Sequence, residues 1–273
     1  MAEKSSDRMT NRFPAVDVSR YTVILVRPET PENVGLAARG MANTGFRNLR
    51  IVGSSDMLTR AHKTAVHADG ILDGAIFYDR LEDALAGMNL VFGSTSRRER
   101  GFPLLGLDQA VERIRDYPAD CRIGLVFGNE RTGLTAPEIS LTNYRFRIPQ
   151  AARQPSYNLG MAVTLVLFTL ASGRDPEPGS PLEMPITHEE QLAAGLRFRE
   201  LLDHLGFMKK TNREFISAKV QDLFMRMTMT AKERDIMQAM FRKAVLSSGA
   251  GVRKTARVGA AGSEKKTSTK RSE

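Results

Sequence analysis

Short apolar runs alternating with helix-forming stretches set the tightest limit on how this chain can fold. Residues 21–26 (YTVILV), 49–52, 75–78, 90–93, 123–127 (IGLVF) and 144–148 are each too short for a helix and rich in β-preferring residues. Near-continuous apolar strands of this kind are buried on both faces, as in parallel sheets. Between them lie helical patterns at residues 33–44, near 61–68, and at 81–86, 108–116 and 156–172. Ala37, Ala38, Met41 and Ala42 give the first helix a small, close-packing face, and Gly45 suits its C-terminal cap. The alternation predicts an α/β fold, a parallel sheet with helices on both faces, over residues 20–173.

A change of composition follows. Residues 174–187 are dense in Pro, Gly and charge and read as a linker. Residues 188–247 show no strand signal. Apolar residues at helical spacing predict helices over 189–205, 213–228 and 231–246, and Thr230 with Glu233 has the capping-box pattern. The Met residues of this extension read as packing. Residues 1–19 and 248–273 are expected to be disordered, the latter strongly basic.

The net charge of +9 favours a polyanionic partner, most simply nucleic acid, although the tail carries part of it. Cys121 is the single cysteine, which excludes an internal disulfide, and the four histidines lack metal-ligand spacing, so no metal is expected. The N-terminus has no apolar signal core, and the apolar stretch 159–171 is too short to span a bilayer. The expectation is a cytoplasmic protein with no membrane partner.

Three segments carry candidate chemistry. In the first, Asn33, Gly35 and Arg39 open the first helix, where free backbone N–H groups can hold an anion and an Arg can fork onto phosphate. The second, Gly128-Asn-Glu130-Arg-Thr-Gly133-Leu, turns sharply at the carboxyl end of a buried strand, where open α/β sheets bind ligands. In the third, Ile148 to Leu159, Ser156 and Asn158 sit at the start of an apolar helix, with Ser156 expected to cap it. The dinucleotide fingerprint G-x-G-x-x-G is absent after the first strand, which counts against a dehydrogenase.

In order and spacing, N-V-G-x-x-A-R, V-F-G-x-E-R-x-G-L and I-P-x(6)-S-x-N-L resemble the signature of the SPOUT class of RNA methyltransferases, in particular its TrmH-type 2′-O-ribose branch. The resemblance covers residues 21–171. The extension, through residues 201–207 (LLDHLGF) and Leu223-Phe224, resembles the TrmJ subfamily, which acts on C or U at nucleotide 32 of the tRNA anticodon loop. The resemblance implies a C-terminal trefoil knot in the catalytic domain, S-adenosylmethionine (SAM) as cofactor, tRNA as substrate and a homodimer, with no DNA expected. It makes Arg39 the proposed catalytic arginine, with Asn33, Glu130, Ser156 and Asn158 completing the catalytic set. Ser94, Thr95, Ser96, Gly128, Ile148, Pro155, Ser156 and Tyr157 fall on SAM-contacting positions. Pro155 stands where relatives often have Ser, and Tyr157 where Leu is common. Arg97, Arg98, Arg100 and Arg153 are candidates for RNA phosphates, as are Lys209, Lys210 and Arg213 at a helix junction. Arg39 could stabilise charge on the 2′-oxygen or accept its proton transiently. Rival readings keep the fold but change the function, to methylation of ribosomal RNA or to RNA binding without turnover.

Overall fold

β1 (Tyr21–Val26) is buried along its whole length because it lies inside the sheet, with β2 (Asn48–Val52) on one side and β6 (Ile123–Phe127) on the other. In this computed structural model the described residues are Phe13, 16–96, 103–151, 156–173 and 182–260, with side chains described only to 246. β3 (Ile76–Tyr78), β4 (Leu90–Ser94), β5 (Leu104–Gly106) and β7 (Tyr144–Arg147) complete a seven-stranded sheet in the order β3-β2-β1-β6-β4-β7-β5. Every pairing is parallel, as the apolar runs predict.

Alternation along the strands sends side chains to two cores. Val23, Leu25, Ile51, Phe92, Leu125 and Phe127 pack under α1 (Pro31–Thr44), α2 (Leu58–Ala65), α5 (Leu107–Arg115) and α7 (Leu159–Ala171). Ile24, Val26, Val52, Val91 and Val126 pack under α4 (Leu81–Ala84) and α6 (Ala136–Ile139). Helices therefore cover both faces. α1 and α7 approach closely because a glycine sits at the crossing: a Cβ on Gly160 would stand 2.5 Å from the Leu36 Cβ. Gly45 ends α1 in the left-handed region at φ +89°, as expected.

Local departures have identifiable causes. The helix expected near 61–68 is found as α2, which stops at Ala65 because Val66 and His67 take positive φ, and a short α3 (Asp69–Asp73) that was not expected follows it. α7 begins at Leu159, and its cap is Asn158, not Ser156. The Asn158 side-chain oxygen accepts from Gly160 N (3.0 Å) and Met161 N (3.3 Å), positions that only the residue preceding the first turn can reach. β5 and α6 have no counterpart among the expected elements.

The extension comprises α8 (His188–His204), α9 (Arg213–Met227) and α10 (Ala231–Ala260), the last running beyond the expected Leu246. Ala194, Val220, Phe224 and Met229 form its own core with Phe198 and Phe241. It meets the sheet through a buried polar seam. Asn143 Nδ2 donates to Gln191 Oε1 (3.0 Å) and Met225 O (2.6 Å), and Arg145 pairs with Asp222 at 2.8 Å. His188 N donates to Met88 O, and its Nε2 lies 3.0 Å from Leu141 O. Within the segments expected to be disordered, 1–19 and 248–273, residues 18 and 19 instead enter a single helical turn (Val18–Arg20) and residues 248–260 continue α10. The rest of those segments, apart from Phe13 and residues 16–17, and residues 174–181 of the expected linker lie outside the described residues. Residues 182–187 are held by Leu182 N to Asp116 O and Ile186 N to Met229 O. Among the described residues no helix is long and apolar enough to cross a membrane.

Candidate active site

The turn after β6 is rigid by its own bonding. Asn129 Oδ1 accepts from Arg131 N (3.0 Å) and Thr132 N (3.1 Å), and Gly133 N donates to Asn129 O (2.8 Å). A Cβ on Gly128 would lie 2.3 Å from Gly133 C and Leu134 N, so only glycine fits where the turn closes on itself. Asn129 Nδ2 donates to Arg27 O, fastening the turn to the end of β1. Arg27 forks onto Glu138, whose Oε2 also accepts from Thr135 N to cap α6.

Glu130 points from this turn to the start of α1. Its carboxylate accepts from Glu29 N (2.8 Å), Thr30 N (3.1 Å) and Asn33 Nδ2 (2.9 Å). The anion expected at this helix start is therefore the chain's own carboxylate, and Gly35 faces the Ala61 carbonyl of α2 instead of a ligand. Burial works to raise the Glu130 pKa, but the hydrogen bonds from Glu29, Asn33 and Thr30 outweigh it and hold the carboxyl below its ordinary value.

The bonding continues in one direction. An ionised carboxylate only accepts, so Asn33 must present its amide nitrogen to Glu130. Asn33 Oδ1 then faces Asn158 Nδ2 at 2.6 Å, which leaves the Asn158 oxygen to cap α7. Residues far apart in sequence thus tie the β6 turn, the start of α1 and the start of α7 together.

Beside this chain, at the carboxyl ends of β4, β6 and β7, lies a cavity of about 330 Å³. Ser94, Thr95, Ser96, Gly128, Glu130, Ile148, Ser156 and Tyr157, all expected from the sequence, line it together. Tyr157 Oη donates to Pro149 O (3.0 Å), which ties the residues just before α7 to those just after β7. Asn33 and Asn158 bond to the rim and do not line the cavity. Arg39 is exposed on α1 and also does not line it; no ion pair to Arg39 occurs among the described residues. Pro155, Arg97, Arg98, Arg100 and Arg153 lie outside the described residues. Sequence reasoning missed Asn129, Thr132 and Leu134 as lining residues, although all three belong to the singled-out turn. Among the described residues no cluster of His, Cys, Asp and Glu could hold a metal ion.

The donor set suits a nucleoside-sized ligand. Hydroxyls of Ser94, Thr95 and Ser96 offer polar contacts, while Ile148 and Leu159 offer apolar wall. Residues 20–168, which contain all three motifs, match the model of the SpoU rRNA Methylase family. The chain belongs to the SpoU methylase family. Its likeness to individual SpoU proteins reaches further. It is 31% identical over 222 residues to the tRNA (cytidine-2′-O-)-methyltransferase TrmJ of Methanocaldococcus jannaschii, covering 72% of this chain and 94% of that one. It is 30% identical to the tRNA (cytidine/uridine-2′-O-)-methyltransferase TrmJ of Yersinia enterocolitica, over 80% of this chain and 88% of the relative. The crystal structure of TrmJ from Z. mobilis superposes with a TM-score of 0.71 at 28% identity, covering 81% of this chain and 97% of that one. These spans exceed what residues 1–168 could supply, so the likeness continues into the helical extension.

Proposed function

We propose that the protein methylates a ribose 2′-hydroxyl of tRNA with SAM as methyl donor, at a pyrimidine at nucleotide 32 of the anticodon loop. The observation that carries this reading is the joining of all three motifs around one cavity by the Glu130–Asn33–Asn158 chain. The choice of tRNA rests on relatives named as tRNA methyltransferases whose likeness includes the extension.

Bound in the cavity, SAM supplies an electrophilic methyl group. Ser94, Thr95, Ser96 and the backbone around Gly128 and Ile148 hold and orient it, and Tyr157 and Leu159 keep water from its apolar parts. The Glu130–Asn33–Asn158 chain fixes α1, and with it Arg39, relative to that wall. Holding both reactants in line is the larger part of such catalysis. A guanidinium stays protonated, so Arg39 acts by stabilising the negative charge on the 2′-oxygen as that oxygen gives up its proton to water ahead of methyl transfer.

The protein works as a homodimer with its cavity segments threaded as a trefoil knot. Support for pairing comes from α7, where Met161, Leu165 and Phe168 stand 55%, 37% and 55% exposed along one face, beside the exposed Leu36 of α1. Such a stripe marks an interaction surface.

The test is methyl transfer from labelled SAM to tRNA lacking the modification, with the product mapped by mass spectrometry. Methylation at nucleotide 32, lost in Arg39→Ala while SAM still binds, is the expected result. Because the matching family model is described by ribosomal RNA, that substrate runs in parallel. Transfer to ribosomal RNA alone would keep the chemistry and overturn the substrate. RNA binding without any transfer would overturn the enzyme.

A further inference from the structure

The junction of α8 and α9 carries a combination that neither the fold nor the active site uses. Phe207 is 57% exposed and Phe215 63% exposed, with Leu205 exposed beside them. Single exposed apolar residues are ordinary, but two aromatic rings within one short turn and the helix start that follows are not. The turn holds its own shape. Gly206 takes φ +72° to reverse the chain, Phe207 N donates to Leu202 O (2.9 Å), and Lys209 N donates to Asn212 Oδ1 (2.8 Å). Met208 is buried between Phe207 and Lys209, so the turn is pinned inward at Met208 while its neighbours face out.

Cations interleave with the rings. Lys209, Lys210, Arg213 and Lys219 are exposed, and Lys219 Nζ stands 5.9 Å from the centre of the Phe215 ring. Against them stand Glu214 and Asp203, the latter bonded to Arg213. A protein partner covering an apolar patch would have to desolvate these charges. A nucleic acid would not, because phosphates meet the cations while bases meet the rings. Exposed aromatics in a positive surface are how proteins hold unpaired nucleotides.

We propose that the α8–α9 end is a stacking platform for unpaired nucleotides of the RNA substrate, with Phe207 and Phe215 against bases and Lys209 and Lys210 against phosphates. The proposal rests on the RNA methyltransferase reading above. It gives the extension a task, gripping the single-stranded loop of the RNA while the cavity acts on one ribose.

The test measures affinity for unmodified tRNA, a single-stranded oligoribonucleotide and a fully paired RNA duplex. Phe207→Leu/Phe215→Leu keeps apolar bulk and removes both rings; Phe207→Tyr/Phe215→Tyr keeps the rings. The Leu pair should weaken oligoribonucleotide and tRNA binding by roughly tenfold or more, the loss expected when stacking is removed. Duplex affinity should not change, and the Tyr pair should bind like the unsubstituted protein. In turnover the Leu pair should raise KM for tRNA with kcat held. Lys209→Gln/Lys210→Gln should reduce the salt slope of log K by about 1.4, two contacts to a single strand. If the Leu pair binds single-stranded RNA like the parent protein, the platform is overturned while the enzyme stands. Equal weakening on duplex also overturns it, as does a changed sedimentation coefficient with RNA affinity intact, which marks a protein contact. If the parent protein neither binds nor methylates any RNA, the platform and the function fall together.

Discussion

Asn33→Asp replaces one atom of the chain that joins the three motifs, and its cost follows from the geometry. The new carboxylate keeps the oxygen that accepts from Asn158, but presents a second oxygen to Glu130 at about the present 2.9 Å. A donor facing an acceptor becomes two anions face to face. At an effective dielectric of about 20 two unit charges about 3 Å apart repel by about 5 kcal/mol, and in water by little more than 1. Glu130 is half-buried, so screening draws the value toward the lower end. The alternative is to protonate one of the pair, at no more than about 4 to 5 kcal/mol at pH 7.5 and about 1 at pH 5. With the lost hydrogen bond added, the expected destabilisation is about 2 to 3 kcal/mol at pH 7.5, shrinking to about 1 at pH 5. In a chain of this size that is roughly 5–10 °C in Tm at the higher pH. Asn33→Ala loses the bond without adding charge, so its smaller cost should be flat over the same range.

Thermal unfolding of the parent, Asn33→Asp, Asn33→Ala, Glu130→Gln and the double variant Asn33→Asp/Glu130→Gln at both pH values isolates the contact. The Gln amide can donate to the new carboxylate, so the double variant should be at least about 1 kcal/mol more stable at pH 7.5 than the summed single effects. An Asn33→Asp penalty no larger at pH 7.5 than at pH 5, or the absence of this coupling, would refute the directional chain.

Other outcomes follow from the packing. His188 is buried, and burial pushes its pKa below the ordinary histidine value against the opposing pull of Leu141 O and the charges of Glu189 and Glu82. The unfolded chain therefore takes up the proton first, so this contribution to stability is complete above about pH 6.5 and declines as pH falls from there toward the folded value. His188→Gln retains a donor for Leu141 O and should flatten the Tm profile between pH 7.5 and 5.5; parallel profiles would show that His188 is not the titrating group. Gly160→Ala should cost about 1–3 kcal/mol because its Cβ meets Leu36 at 2.5 Å, whereas helix propensity alone predicts a gain of about 1. A rise in Tm for this variant would mean that α1 and α7 are not so closely packed. Phe168→Glu puts a charge in the exposed stripe of α7 and should shift the protein to a monomer in analytical ultracentrifugation; an unchanged dimer would place pairing elsewhere.

What the sequence made legible was local. β1 and β6 stand at the expected residues because a strand buried on both faces writes an unbroken apolar run. The cavity was legible for a related reason: Ser94 to Ser96, Gly128 and Ile148 all follow such runs, and in a parallel sheet everything just past the carboxyl ends converges at one edge. The α2–α3 break left no sign, because Val66, which takes φ +35°, is a β-branched residue of a kind that rarely adopts positive φ. The seam under the extension was also hidden. Asn143, Arg145, Gln191 and Asp222 are of types usually found at the surface, and only a partner from another element makes each one tolerable when buried.

The active site shows where local reasoning stops. A free helix start with an Asn does attract an anion, and that inference was physically sound. The anion proved to be a carboxylate 97 residues away, a separation no window along the sequence can span. Its arrival changes what α1 is for. An external phosphate bound at Asn33 would leave α1 free to shift whenever the ligand departs. A carboxylate supplied by the β6 turn keeps the helix start neutralised at all times, and through Asn158 fixes α7 as well. The helix that carries Arg39 is therefore preorganised before any substrate binds, and no binding energy need be spent on ordering it.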